Sequence, residues 1–383
     1  MAYKNKHILF VIGNLNVGGT EQQLAMLAAQ LVARKWQVSL FSLELTGPLV
    51  NILRSKGVRL HDGGYRSFNG SYLRKLLSLA MAQFRLFMLI LKTRPAIVHA
   101  FLPLANFMGA VAGRSALIPM VITSKRALST HQDRHPQLRW LDHVANRLSH
   151  KVTANSNVVA EDVAYRDGYR LEKIKIIANG LDFSKFQVSD IRRDEMRKVL
   201  ELQQNEIAIG FVANLIPYKG HAELIDAIGY IGKAHPQAKL FLIGEDRGIG
   251  VDLNKQIHDR GLQDKVVLLG SRTDIPDLLA AMDIGVMASH EEGFSNALLE
   301  KLAIGLPIVA TDVGGNAEAL EGMANCQLVE PSNAKSIARG LDKMIIDLEA
   351  ATEAKTERRA RIQERFSISA MVDAYEKLYT EDR

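Results

Sequence analysis

Apolar positions in this chain come in short β-branched runs, and longer stretches with helical spacing separate them from one end to the other. In the first half the runs His7–Gly13, Gln37–Leu43, Ile97–Phe101, Met120–Ser124, Lys151–Ser156 and Lys175–Ala178 predict strands. In the second half Ile207–Ala213, Lys239–Gly244, Val266–Gly270, Ile284–Ala288 and Ile308–Thr311 do the same. A helical pattern follows each within a few residues, which is the habit of parallel sheets covered by helices on both faces. Two such arrays predict two doubly wound α/β domains facing a cleft. The join falls near Ala178–Phe186, where an apolar strand gives way to Asn179, Gly180 and a polar, charged run. A last helix, Ser369–Tyr379, carries Met371, Val372, Tyr375, Leu378 and Tyr379 as an apolar stripe that must cover something.

Composition narrows the class. With 383 residues, 47% apolar and 23% charged, the chain is an ordinary globular protein with ample length for a core; disordered, collagen-like and coiled-coil classes drop out. One cysteine, Cys326, allows no internal disulfide, and no Cys/His cluster offers a zinc site, so a cytoplasmic address is expected. The basic start Met1–Lys6 precedes an apolar run, His7–Ile12, that is too short for a signal peptide and reads as the first strand. Gln83 and Arg85 interrupt the apolar stretch Leu76–Leu91, which falls short of the ~18 uninterrupted residues of a membrane span, so no crossing is expected.

Charge is uneven. The formal balance is +6, yet residues 1–180 hold 24 Lys and Arg against 9 Asp and Glu, and residues 181–383 hold 24 against 33. The basic half is expected to face something anionic: a membrane surface, a phospholipid-linked acceptor or nucleic acid. Nucleic acid is disfavoured, because the half lacks interleaved surface aromatics and any recognisable binding motif. The segment Ser71–Arg94 mixes Arg74, Lys75, Arg85, Lys92 and Arg94 with Leu, Met and Phe. It either packs on its own sheet or lies on an anionic membrane surface.

Ligands of doubly wound sheets bind outside the carboxyl ends of the strands, where a loop opens into a helix. Three segments occupy such positions. After the first strand, Gly18 and Gly19 let backbone amides approach an anion, although any tight turn could use them. The spacing is not that of a nicotinamide-type site. The run Ala288–Glu300 places Glu292 in a loop and Glu300 on the helix behind it; Gly293 permits an unusual turn, and Ser295 or Asn296 can cap the helix. Glu292 would grip hydroxyls, the first amides a phosphate, and Glu300 a ribose, since one carboxylate accepts two hydroxyl hydrogen bonds. The same segment would also serve as a capped surface helix with solvated glutamates. After Ile207–Ala213, Lys219 stands where it could neutralise a diphosphate, although loop lysines are usually just solvated. No Asp-x-Asp occurs, so the short acidic signature for holding a nucleotide sugar through a divalent metal is absent.

The run Glu292-Gly-Phe-Ser-Asn-Ala-Leu-Leu-Glu300, followed by Gly305-Leu-Pro-Ile-Val-Ala-Thr-Asp-Val-Gly-Gly-Asn-Ala-Glu318, closely resembles the donor-site signature of glycosyltransferase family 4. Gly18-Gly19-Thr20-Glu21, Ile97-Val-His-Ala-Phe101, Asn155-Ser156 and Asn179-Gly180-Leu181-Asp182 extend the resemblance over nearly the whole chain. It implies two Rossmann-like domains of GT-B architecture: an acceptor-side domain at 1–180, a donor domain at 181–365, and a final helix at 366–383 crossing back to the first. It implies a retaining hexosyltransferase using a nucleotide sugar, with UDP favoured, and a glycan or lipid-linked acceptor in bacterial surface polysaccharide or lipopolysaccharide synthesis. No metal or other cofactor is expected, and the enzyme would be cytoplasmic or peripheral at the inner face of the plasma membrane.

By matched positions, Glu292 would hold the donor sugar, Glu300 the ribose and Lys219 the phosphates. Amides of Gly18, Gly19, Gly293, Phe294, Ser295 and Asn296 would surround the diphosphate, and His99 would sit near the transferred sugar. A histidine at a strand end can equally be a satisfied core residue. Asn214 stands where the family usually has arginine, which should weaken phosphate binding by about 1–2 kcal/mol unless another cation, with Lys125 and Arg126 the candidates, compensates. Substitution is expected on one face of the sugar, with the leaving phosphate helping to deprotonate the acceptor. A GT-B epimerase or phosphorylase and a non-catalytic anion-binding protein are the rival readings.

Overall fold

A computed structural model describes residues 6–66, 72–129 and 136–381. The expected basic start at Met1–Asn5, and Ser71, lie outside them. The chain forms two compact units, one made of Met1–Gly180 with Ile368–Arg383 and the other of Leu181–Ser367.

Unit 1 holds seven strands: β1 (His7–Ile12), β2 (Gln37–Ser42), β3 (Arg59–Asp62), β4 (Ile97–Phe101), β5 (Met120–Lys125), β6 (Lys151–Ala154) and β7 (Ile174–Ile176). They pair in parallel in the order β3-β2-β1-β4-β5-β6-β7. Its helices include α1 (Gly19–Ala33), α2 (Leu49–Ser55), α3 (Tyr72–Thr93), α4 (Pro103–Ser115) and α5 (Pro136–Leu148). Unit 2 holds β8 (Ile207–Val212), β9 (Ala238–Ile243), β10 (Val266–Gly270), β11 (Ile284–Met287), β12 (Ile308–Thr311) and β13 (Cys326–Val329), parallel in the order β10-β9-β8-β11-β12-β13. In each sheet the strand order reverses beside one strand, β1 against β4 and β8 against β11, and such reversals open a crevice at the carboxyl ends. The loops after β1, β8 and β11 are those that carry the sequence motifs.

Strands covered on both faces are apolar throughout: β1 is buried at every position, and so is β4. Edge strands are not. β3 is exposed at both ends and half-buried between, β13 is buried only at Val329, and neither produced an apolar run in the sequence.

The stripe Met371, Val372, Tyr375, Leu378 and Tyr379 lies in the core of unit 1 with Ile8, Phe10, Leu24 and Leu27. Arg34 pairs with Glu376 at 2.5 Å, and the Trp36 indole donates to the same carboxylate at 2.6 Å. Helix α3 differs from expectation. Its 22 residues form one continuous helix, long and apolar enough to cross a membrane by length and composition. Gln83 and Arg85 do not break it, because they turn to the Met108 and Gly63 carbonyls.

Candidate functional site

The most developed constellation belongs to unit 2 and is built by its loops after β8 and β11. The β8 loop ends in a short turn, Pro217–Lys219, closed by Gly220 at φ +76°. A Cβ at 220 would run into the carbonyl of Ala288, so only glycine lets the two loops touch. Gly314 (φ +53°) does the same from the other side, against the carbonyl of Glu292. The Gly315 amide donates to Gly293 O at 2.8 Å, and Thr311 Oγ1 donates to Ser289 O at 2.7 Å. The segment 288–295 is thus clamped by both neighbours before any ligand arrives.

The clamp brings two expected residues together. Lys219 Nζ lies 2.5 Å from Glu292 Oε1, both side chains being mostly covered. Ser289, which the sequence reading did not single out, donates its Oγ to the same oxygen at 2.7 Å. The Lys219 ammonium also rests 5.2 Å from the Tyr218 ring centre. Phe294 is buried with its ring 5.4 Å from Phe366, so its contribution to a ligand is its backbone. Ser295 rather than Asn296 is the N-cap of the helix Asn296–Ile304, accepting from Leu298 N, and Gly305 closes the helix at φ +86°.

Behind the loop the helix carries Glu300 and Lys301. Burial pushes the Glu300 carboxyl up to about 7, with the Lys301 and Lys185 cations opposing the rise. Burial pushes the fully covered Lys301 ammonium down to about 8 against the pull of Glu300 and Glu292. Its Nζ is 3.3 Å from Met287 Sδ and 3.3 Å from Ala297 O. A buried cation here had no signal in the pattern beyond its place next to Glu300.

Asn214 points elsewhere than expected. Its Oδ1 accepts the amide of Glu245 at 3.2 Å and so ties the β8 loop to the β9 loop, while Arg247 N donates to Leu215 O. The arginine this tie brings beside the β8 loop is Arg247, paired with Glu245 at 2.9 Å.

In unit 1 the Gly18–Gly19 turn precedes α1, and Gly18 is its N-cap in extended backbone. The Glu21 carboxylate folds against Gly18, and burial raises its affinity for a proton. An anion at these amides would meet that carboxylate. His99 was expected near the transferred sugar or else as a satisfied core residue, and it has no exposed surface. Its Nδ1 lies 2.7 Å from Tyr379 Oη, its Nε2 2.8 Å from Ser124 Oγ, and Phe101 packs 4.4 Å from its ring centre. Burial holds it well below the ordinary histidine range, so it is a neutral core histidine with both nitrogens occupied. Lys125 is likewise committed, 2.8 Å from the buried Asp142, and Arg126 donates to Asn179 Oδ1 at 2.7 Å. The buried Asp142 thus neutralises Lys125, whereas the partner of Arg126 is an uncharged amide.

Among the described residues no cluster of three His, Cys, Asp or Glu gathers to hold a metal ion.

The chain is also similar to known proteins along most of its length. The family described as Glycosyl transferases group 1 matches residues 192–363, and Glycosyltransferase Family 4 matches residues 17–185. A UDP-Gal:alpha-D-GlcNAc-diphosphoundecaprenol alpha-1,3-galactosyltransferase of Escherichia coli is 26% identical over 302 residues, 77% of each chain. The capsular polysaccharide biosynthesis glycosyltransferase CapM of Staphylococcus aureus is 24% identical, over 77% of this chain and 79% of that protein. Among solved structures, Anabaena HepE in complex with UDP and glucose superposes with a TM-score of 0.84 at 25% identity, covering 97% of this chain and 98% of that one.

Proposed function

The chain belongs to the family 4 glycosyltransferases, hexosyltransferases with two Rossmann-like domains, and from that premise we propose that it moves a hexose or N-acetylhexosamine from a UDP-sugar to a lipid-linked glycan in bacterial surface polysaccharide or lipopolysaccharide synthesis, with retention of configuration. One observation carries the reading: the Lys219–Glu292 pair, held on a loop clamped by Gly220 and Gly314 at the carboxyl ends of β8 and β11. Names printed for the relatives supply the finer terms, since the Escherichia coli protein takes UDP-Gal and a diphosphoundecaprenol-linked sugar, and the Anabaena protein binds UDP and glucose.

In this reading the donor sugar's hydroxyls take over one side of Glu292, which Ser289 keeps oriented. Lys219 is released toward the diphosphate. Amides of Gly293, Phe294 and Asn296 at the start of the Ser295-capped helix face the developing charge, and Glu300 accepts from the ribose. Gly18 and Gly19 offer their amides to an anionic part of the substrate once Glu21 moves aside. No metal ion is needed: several charge-assisted hydrogen bonds, each about 1.5–3 kcal/mol, hold the departing diphosphate. Glu292 grips and does not attack; substitution proceeds on one face as the leaving phosphate accepts the acceptor's proton. A cytoplasmic enzyme, peripheral at the inner face of the plasma membrane, follows from a lipid-linked acceptor.

The test is a thermal-shift screen against UDP-, GDP- and ADP-sugars, followed by product analysis by NMR. UDP-sugars should raise the melting temperature most, and the product should keep the donor's anomeric configuration. Selective stabilisation by another nucleotide, or an inverted product, overturns the corresponding term.

A further inference from the structure

Unit 1 carries a face that the chemistry above does not use. From Gly63 through Gln132 the chain has no aspartate or glutamate, yet nine lysines and arginines fall in that stretch. It includes α3 and α4 entire. Of the 22 residues of α3 only Ala82, Leu86 and Ile90 are buried, a single stripe at spacings of four. Leu73, Leu77, Met81, Phe84 and Met88 stand outside it, each between 47% and 66% exposed. Between α3 and α4 runs a groove of about 340 Å³ lined by Gln83, Phe84, Phe87, Val111 and Ser115. The next helix, α5, packs on α4, setting Trp140, 62% exposed, beside Phe107 with ring centres 5.9 Å apart. The acid of α5, Asp142, is buried on Lys125.

So large an apolar row at a domain surface marks something that covers it. A second copy of this chain is a poor candidate, because pairing would set two equally basic, acid-free faces against each other. An anionic surface with an apolar interior complements both features at once. We infer that unit 1 rests on an anionic bilayer through this face. Helix α3 lies in the plane of the interface with its outer row in the acyl boundary, and Trp140 sits at headgroup level. The inference rests on the proposed reading in one respect, that a lipid-linked acceptor brings the enzyme to the bilayer, and it is tested apart from transfer.

The full chain is sedimented with vesicles of phosphatidylcholine alone and with vesicles that also contain phosphatidylglycerol. It should pellet with the second and stay largely in solution with the first, and added salt should release it. Lys75→Glu with Lys92→Glu, and separately Leu77→Ser with Phe84→Ser, should each lower the partition coefficient by at least about tenfold. Melting temperature and UDP binding should remain as in the parent, since all four side chains lie at the surface of α3. Equal pelleting with both vesicles, or unchanged partitioning of the Leu77/Phe84 variant, overturns the inference. So does release by detergent alone, which would make α3 a true span, or a dimer abolished by the Leu77/Phe84 change, which would make a second copy the cover. Transfer to a water-soluble acceptor without vesicle binding sinks this inference and leaves the transferase reading; vesicle binding without UDP binding does the reverse.

Discussion

Glu292 receives two donors on one oxygen, from Lys219 and Ser289, and this arrangement fixes what single changes should do. Glu292→Gln should abolish transfer while leaving UDP affinity within a few-fold, because the sugar and not the nucleotide loses its grip. Lys219→Ala should lower kcat/KM roughly tenfold to a hundredfold, the value of one charged hydrogen bond, as read from initial rates of UDP release. An active Glu292→Gln enzyme would reject the assignment. Glu300 gives a second test. Its carboxyl, raised to about 7 by burial, is protonated below that value and then accepts from ribose only as a neutral group, without the charge that strengthens the bond. UDP affinity measured by calorimetry should therefore fall as pH falls through about 7, and Glu300→Gln should flatten the profile. Lys301→Met removes the cation that holds the carboxyl down, so the same limb should move to higher pH. Its cost in stability should grow as pH rises above about 7, where Glu300 ionises and is left without the cation beside it.

At the scale of elements, the helix Asn296–Ile304 depends on its Ser295 cap, and Ser295→Ala should cost about 1 kcal/mol. Gly220→Ala should cost more, because it combines a left-handed backbone with a collision against the Ala288 carbonyl. Denaturant midpoints of the two variants would rank them, and the reverse order would show that the clamp is soft. Elements buried on both faces were legible as apolar runs, β1, β4 and β8 above all, while the four-residue edges β3 and β13 were not, because Arg59, His61 and Asp62 break the first and Gln327 the second. The site loops were legible because strand, glycine and helix cap follow one another in the chain at 288–296. Asn214, Ser289, Lys301 and Arg247 were not, since their roles depend on neighbours that only the sheet order brings close. His99 shows the limit of motif matching. Its strand was read correctly, but His99 lies in the middle of it and not at its end, and the Tyr379 hydroxyl that occupies its ring comes from a helix 280 positions further on.

At the scale of the whole molecule, unit 1 is a discontinuous body, begun by the first 180 residues and completed by the helix Ile368–Glu381. His99 is neutral in the fold and takes a proton near pH 6.5 when unfolded, so the unfolded state binds more protons below that value. The stability of unit 1 should accordingly be lost as pH falls below about 6.5, while His99→Gln should weaken the dependence; hydrogen exchange of β1 and β4 amides would follow it. A chain ended at Ser367 should expose Phe10, Leu24 and Leu27 in unit 1 and leave unit 2 protected, a pattern limited proteolysis can read. The same discontinuity governs the order of events on the ribosome. Nascent domains ordinarily finish in the order they emerge, but here the amino-terminal part of unit 1 stays open and apolar until the helix Ile368–Glu381, made after unit 2, has cleared the exit tunnel. Unit 2 can close in the meantime, so the amino-terminal half is the part that would call on chaperones, and a premature stop anywhere before residue 368 would leave that half without its closing piece.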